Sequence, residues 1–159
     1  MQEEKLVALL HEKGLTITTA ESCTGGLLSG TIINVAGTSD VFNLSVVTYA
    51  NKAKRKMLGV SNKTLKKHGA VSKQTAKQMA KGAAKLAGAD VALSVTGIAG
   101  PTGGTDEKPV GLVYIGCRVC GNTKVIKCQF DGDRTEIRMQ TVAKAIDLAI
   151  ECIETLEIA

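Results

Sequence analysis

Residues 19–26, TAESCTGG, place a carboxylate, a hydroxyl, a thiol and two glycines on one predicted turn. The turn follows an alternating segment, LTIT, and precedes an apolar-rich one, LLSGTII, so it joins a predicted strand to a predicted helix. The first backbone N–H groups of a helix have no intrahelical partner, and they suit an anion, a phosphate or a developing oxyanion. Three interpretations of this turn stay open: a capped helix start, a phosphate-binding turn and the position of a catalytic nucleophile. The pattern alone favours a helix cap for Ser22.

Two side chains of this turn are candidate nucleophiles, the hydroxyl of Ser22 and the thiol of Cys23. Cys23 is the more reactive type, because a helix N-terminus lowers the pKa of a thiol. Only His11 and His68 are available as histidine bases, and both fall on predicted surface helices. A Ser-His-Asp or Cys-His triad is therefore poorly supported.

A serine can instead be activated by a lysine whose pKa is lowered by burial or by neighbouring cations. The segment YANKAKRK, residues 49–56, offers Lys54 on the first turn of a predicted helix, crowded by three further cations. The hydroxyl of Tyr49, at the end of a predicted strand, is placed to relay a proton between a lysine and a serine. The alternative is a solvated basic helix, which these residues alone favour.

A glycine-rich segment, GIAGPTGG at residues 97–104, follows a predicted buried strand. It matches neither GxxxxGK[ST] nor GxGxxG, so a P-loop and a dinucleotide-binding turn are both excluded on pattern. Glycines such as Gly97 still let backbone N–H groups approach a ligand closely. Arg134, after Gly132-Asp133 at a predicted helix start, is a candidate clamp for a phosphate or carboxylate. The alternative interpretation of Arg134 is a surface arginine that forms an ion pair.

The five cysteines are an odd number in a chain of cytosolic character, which argues against a disulfide framework. Cys117 and Cys120 have CxxC spacing, but they lie in a predicted strand with no second CxxC and no histidine nearby. We interpret the cysteines as small buried or edge thiols and predict no metal site.

Periodicity and cap residues predict an alternation of helices and strands, with Ser72 as the cap of the fifth helix and Asp133, followed by Glu136, as the cap of the sixth. The predicted helices span 3–13, 24–35, 52–58, 62–68, 72–86 and 134–154, and the predicted strands span 15–20, 41–50, 91–96, 110–119 and 124–130. The last two strands form a hairpin around Gly121-Asn122. This order predicts an α/β fold, a single three-layer α/β/α domain over residues 1–159 with a mixed sheet.

Charge is unevenly placed along the chain. The net charge is +5, and residues 52–85 hold eleven Lys or Arg and no acid, which leaves −6 for the rest. Four lysines of the 72–86 helix repeat every four residues and form a stripe on one face: Lys73, Lys77, Lys81 and Lys85. This stripe is either an anion-attracting surface or, as we favour, a solvated face. Aromatic residues make up only 3%, which counts against stacking on nucleic acid.

No apolar run approaches the roughly 18 residues of a membrane span, and the acidic amphipathic N-terminus is not typical of a signal peptide. We therefore expect a cytoplasmic protein without a membrane partner.

Six motifs in this order closely resemble the CinA carboxy-terminal domain family over residues 3–155: TAESCTGG, GTSDVF, VTYANKAK, HGAVS, SVTGIAGPTGGTDEKPVG and GDR. Members of that family include stand-alone nicotinamide mononucleotide deamidases. The resemblance implies an α/β/α domain that forms a homodimer. It also implies hydrolysis of nicotinamide mononucleotide to nicotinic acid mononucleotide and ammonia, within pyridine nucleotide recycling, with no metal and no cofactor.

The resemblance also assigns roles at individual positions. It implies Ser22 as nucleophile, Lys54 as general base with Tyr49 beside it, and Ser39 near the reacting carbonyl. The implied substrate-binding residues are Thr96, Gly97, Arg134, Thr24 and Gly25. Two alternatives stay open: a catalytically weak nucleotide-binding or regulatory module of the same fold, and nucleic-acid binding through residues 52–85.

Overall fold

The computed structural model describes residues 1–156 and contains six α-helices, one short 3-10 helix and five strands in that range. The helices are α1 (Gln2–Lys13), α2 (Leu27–Ile33), α3 (Asn51–Leu58), α4 (Asn62–His68), α5 (Lys73–Ala87) and α6 (Arg134–Glu154). The strands are β1 (Ile17–Glu21), β2 (Val46–Val47), β3 (Val91–Gly97), β4 (Leu112–Val119) and β5 (Asn122–Gln129), and the 3-10 helix is Thr38–Asp40.

The five strands form one mixed sheet in the order β2-β1-β3-β4-β5. β1 lies parallel to both β2 and β3, with Ala20 opposite Val46 on one side and Ser94 on the other. β4 is antiparallel to β3 and to β5. Because β1, β2 and β3 are parallel, their carboxyl ends meet at one edge of the sheet.

Helices cover both faces of the sheet, which confirms the α/β fold with a mixed sheet. On one face α5 packs across β1, β3, β4 and β5, and α3 and α4 pack against α5. On the other face α6 packs on β3 and β4, with α1 and α2 beside it. Alternating residues of β3 point to opposite layers: Leu93 joins the α6-side core and Ala92 the α5-side core.

Close packing of α3 on α5 depends on Gly82. A β-carbon at this position would lie 1.9 Å from the carbonyl oxygen of Leu58, so any side chain there would force the two helices apart. The small inner residues of α5 therefore let α3 pack closely, and the cations of both helices face outward except Lys54, which is buried.

The described elements differ from the sequence predictions mainly around β1 and β2. The helix predicted from Thr24 begins at Leu27, and the strand predicted over 41–50 reduces to Val46–Val47. The hairpin at Gly121 and the cap of α6 by Asp133 are confirmed; the Asp133 carboxylate accepts from the Glu136 N–H, and Glu136 bonds back to the Asp133 N–H. No helix within residues 1–156 has the length and apolar character needed to cross a membrane.

Candidate active site

The carboxyl ends of β1 and β2 bring two distant segments of the chain together. Ser22 directly follows β1, and its N–H donates to the Val95 carbonyl of β3. Thr48 follows β2, and its N–H donates to the Glu21 carbonyl. The chain then enters α3, whose first turn carries Lys54 back over the end of β1.

The Lys54 side chain is only 1% exposed and reaches the Ser22 hydroxyl. Its nitrogen lies 3.0 Å from Ser22 Oγ, and it donates to the carbonyl oxygens of Thr48 at 2.8 Å and Tyr49 at 3.2 Å. Burial lowers the pKa of Lys54 from 10.5 to about 8, because the ammonium loses its hydration. Crowding by neighbouring cations, the cause expected from the sequence, is not what depresses this pKa; α3 points those cations to solvent.

Cys23, the rival nucleophile, lies beside Ser22 but in a different electrostatic environment. Its side chain is buried, and this burial raises the pKa of the thiol from 9.0 to about 11. The lowering expected from a helix N-terminus does not occur, because α2 begins four residues after Cys23. At neutral pH this thiol stays protonated and is a poor nucleophile.

Glu21, which the sequence reasoning did not single out, is the centre of the turn. Its buried carboxylate accepts from the N–H groups of Gly26, Leu28 and Ser29 and from the hydroxyls of Thr19 and Thr24. An acid six residues before a helix start was the available signal. The helix N-terminus that was expected to serve an oxyanion is therefore occupied by the protein's own carboxylate.

Arg138 also holds this turn, and the sequence analysis did not identify it. Its guanidinium donates from Nε to the Cys23 carbonyl and from Nη2 to the Thr24 carbonyl, both at 2.9 Å. The Cys23 carbonyl and the Thr24 N–H belong to the same peptide group, and in a trans peptide these two groups point in opposite directions. The contact of Arg138 with the Cys23 carbonyl therefore orients the Thr24 N–H away from Arg138. Across residues 1–156, no protein oxygen accepts from the N–H groups of Cys23 and Thr24.

A cavity of about 180 Å³ opens over Ser22. It is lined by Ser22, Cys23, Tyr49, Lys54, Ala70, Val71, Thr96, Gly97, Ala99 and Arg134. Six of the nine residues chosen from the sequence therefore meet at one cavity: Ser22, Lys54, Tyr49, Thr96, Gly97 and Arg134.

Two of these lining residues make contacts that the sequence did not predict. The Tyr49 side chain is 64% exposed, and its hydroxyl accepts from Arg134 Nη2 at 3.3 Å rather than joining Lys54 to Ser22. Arg134 also donates from Nη1 to the Gly100 carbonyl at 2.7 Å, which ties α6 to the glycine-rich loop. The Lys54–Ser22 contact is thus direct, with no tyrosine relay.

Three predicted residues are not among those that line the cavity. Thr24 turns its hydroxyl to Glu21, at 2.7 Å, and Gly25 is exposed beside Arg138. Ser39 is exposed on the 3-10 helix, close to Phe42, which pairs with Ile17 at the opposite end of β1 from Ser22. A single chain therefore does not bring Ser39 to this site.

The protein-family model described as the CinA C-terminal domain matches residues 1–153 of this chain. The chain belongs to the CinA C-terminal domain family. A CinA-like protein of Kosmotoga olearia is 59% identical over 145 residues, which are 91% of this chain and 35% of that protein. This CinA-family chain thus spans about a third of the length of the curated relatives it matches.

Two crystal structures from the CinA family share the fold. The competence/damage inducible protein CihA of Agrobacterium tumefaciens is 45% identical with a TM-score of 0.90, covering 98% of this chain and 97% of that one. A CinA superfamily protein of Klebsiella pneumoniae is 35% identical with a TM-score of 0.94 and the same coverage. The layered arrangement around β1 is therefore the CinA-family fold.

Proposed function

We propose that this chain is an amidohydrolase that converts nicotinamide mononucleotide to nicotinic acid mononucleotide and ammonia. The observation that carries the proposal is the 3.0 Å contact between Lys54 Nζ and Ser22 Oγ at the floor of a cavity. A buried lysine with a pKa of about 8 supplies a neutral amine at a useful concentration near pH 8, which a surface lysine does not. The family motifs and their order support the choice of substrate.

In the proposed reaction, neutral Lys54 takes the proton of Ser22 as its oxygen attacks the carboxamide carbon. The N–H groups of Cys23 and Thr24, which donate to no protein oxygen within residues 1–156, are the candidate donors to the oxyanion. Protonated Lys54 then gives its proton to the leaving nitrogen, and ammonia departs from an acyl-enzyme. Water, deprotonated by the same lysine, releases the carboxylate product and regenerates Ser22.

The chemistry of the substrate and the lining of the cavity both support the proposal. The pyridinium ring carries a positive charge that withdraws electrons from the attached amide, which makes the carbonyl carbon more electrophilic. Arg134 lines the cavity on the side of the glycine-rich loop, and its guanidinium is the candidate partner of the 5′-phosphate. About 180 Å³ suits the nicotinamide ring, with ribose and phosphate extending toward the exposed Tyr49 and Arg134.

The test is to incubate purified protein with nicotinamide mononucleotide and a metal chelator, and to quantify both the acid product and ammonia. We expect equimolar products, and we expect Ser22→Ala to lower kcat by at least about 10³. Ser45→Ala, which changes a half-exposed serine outside the cavity, is the matched control and should keep wild-type rates. Saturable binding of the nucleotide with no product at high protein concentration would replace this proposal with the binding-module alternative.

A further inference from the structure

Two cysteines from distant parts of the chain meet where α6 ends against the sheet. Cys117 lies in β4 on the face covered by α6, and its side chain is 1% exposed. Cys152 lies on the last turn of α6, half-buried against the same core. Both line one surface cavity of about 470 Å³, so the pair borders solvent through Cys152.

An ion pair holds the two segments at this point. Lys124 of β5 is the cross-strand partner of Cys117, so the two side chains share one face of the sheet. The Lys124 nitrogen lies 2.7 Å from the Glu151 carboxylate, and Glu151 precedes Cys152 in α6. The contact between β5 and α6 therefore sits directly beside both thiols.

The two thiols interact with each other in this cavity, and the interaction shifts their pKa values in opposite directions. It raises the pKa of Cys117, which is also buried, and lowers the pKa of Cys152. The positive charge of Lys124 also lowers the pKa of Cys152. Cys152 is thus both the more exposed thiol and the more readily ionised one.

We propose that Cys117 and Cys152 are a dithiol site that a hydroperoxide oxidises reversibly to a disulfide. The Cys152 thiolate attacks one peroxide oxygen, which breaks the O–O bond, gives a sulfenic acid and releases hydroxide, or an alkoxide from an organic hydroperoxide. The Cys117 sulfur then attacks the sulfenic sulfur, displaces hydroxide, and its proton completes a water molecule. Two thiols are oxidised by two electrons, the peroxide is reduced by two, and with hydrogen peroxide the products are the disulfide and two waters.

The CxxC spacing of the sequence points to a different pair, which the fold separates. Cys120 lies exposed on the turn between β4 and β5, with a positive φ of 47°, while Cys117 points into the core under α6. The partner of Cys117 comes from the far end of the chain, which spacing alone does not show.

The test is peptide mapping of the whole protein after hydrogen peroxide treatment. Cleavage after lysine and arginine leaves the five cysteines in five separate peptides, so a Cys117–Cys152 link gives one defined cross-linked mass, 2 Da below the sum of its parts. We expect this species to be the main product and to disappear on treatment with dithiothreitol. Because the link closes a loop of about 35 residues, it should also raise Tm by roughly 5–10 °C.

Variants separate this site from unspecific oxidation. Cys152→Ser and Cys117→Ser should each abolish the cross-linked peptide, whereas Cys128→Ser, which changes another core thiol on the same face, should leave it intact. A Cys117 thiol that remains free to alkylation in unfolded samples after peroxide treatment would overturn the proposal. So would its appearance in a link with Cys120 or in a disulfide between two chains.

Discussion

The nitrogen of Lys54 lies between the Ser22 hydroxyl oxygen, at 3.0 Å, and the Thr48 carbonyl oxygen, at 2.8 Å. Backbone carbonyls stabilise the ammonium form, while burial stabilises the neutral amine. Burial is the larger effect, since the pKa of Lys54 falls from 10.5 to about 8. At pH 7 about a tenth of the molecules therefore hold a neutral lysine against Ser22.

The first prediction is a rising pH profile. Because the base must be neutral, kcat/KM for nicotinamide mononucleotide should increase about tenfold per pH unit below the Lys54 pKa and level off above about pH 8. Steady-state rates across this range measure it. Lys54→Arg, which keeps a permanent cation in the same place, should lose activity at every pH; a profile that is flat from pH 6 to 9 would exclude Lys54 as the base.

The second prediction concerns stability and the same lysine. The pKa is 10.5 for an ordinary lysine and about 8 in the folded chain, so between these values the unfolded chain binds more protons. Stability contributed by this position therefore rises with pH across that window, and the burial cost is fully present below about pH 8. In urea unfolding, Lys54→Met should raise the free energy of unfolding relative to wild type more at pH 7 than at pH 10. A difference independent of pH would contradict the lowered pKa.

The third prediction separates Cys23 from Ser22. Since burial raises the pKa of Cys23 to about 11, this thiol is protonated at neutral pH. Cys23→Ala should keep kcat within about threefold, because truncation leaves the turn held by its backbone contacts. Rates of the two alanine variants, measured side by side, decide the matter: loss in Cys23→Ala with activity retained in Ser22→Ala would reverse the assignment.

The fourth prediction tests Arg138 as a positioning residue. Replacing its two parallel donors with a single ammonium, Arg138→Lys, should lower kcat by roughly 10–100-fold with little change in KM, because the turn loses its orientation and not its substrate contacts. The matched control is Arg118→Lys, whose guanidinium donates to Thr123 on the hairpin. If KM instead rose roughly 10–100-fold while kcat stayed unchanged, Arg138 would be a substrate-binding residue.

The fifth prediction concerns Glu21. Five donors converge on its buried carboxylate, so Glu21→Gln would place an amide group against N–H groups and leave some of them unsatisfied. We expect the free energy of unfolding to fall by about 2–4 kcal/mol, as measured by urea denaturation. A matched change of an exposed acid on α6, Glu154→Gln, should cost less than about 0.5 kcal/mol; equal effects would show that the carboxylate does not organise the turn.

The sequence predicted well those parts of the fold that depend on local signals. The caps of α5 and α6 are short-range hydrogen bonds made by Ser72 and Asp133, and the hairpin follows its Gly121-Asn122 turn. The start of α2 was placed three residues early, because a carboxylate at Glu21 competes for its N–H groups and keeps residues 22–26 in a turn. Nothing in the local pattern of residues 24–35 reports that competition.

Part of the candidate site could also be anticipated. Ser22 and Lys54 were chosen from motif order, and the parallel pairing of β1 with β2 explains why they meet. The cause of the lowered Lys54 pKa could not be predicted from the sequence, because it is burial, which only the folded chain defines. Arg138 was missed because its acceptors, the carbonyls of Cys23 and Thr24, lie more than a hundred residues away in sequence.

The uneven distribution of charge gives the folded molecule an electric polarity. Helices α3, α4 and α5 form one layer and carry the eleven cations of residues 52–85, while the rest of the chain has a net charge of −6. The candidate cavity opens beside α3, so the proposed phosphate-bearing substrate would be drawn toward the layer that borders this cavity. Capture should therefore slow as ionic strength rises, even where the ligand never touches those lysines.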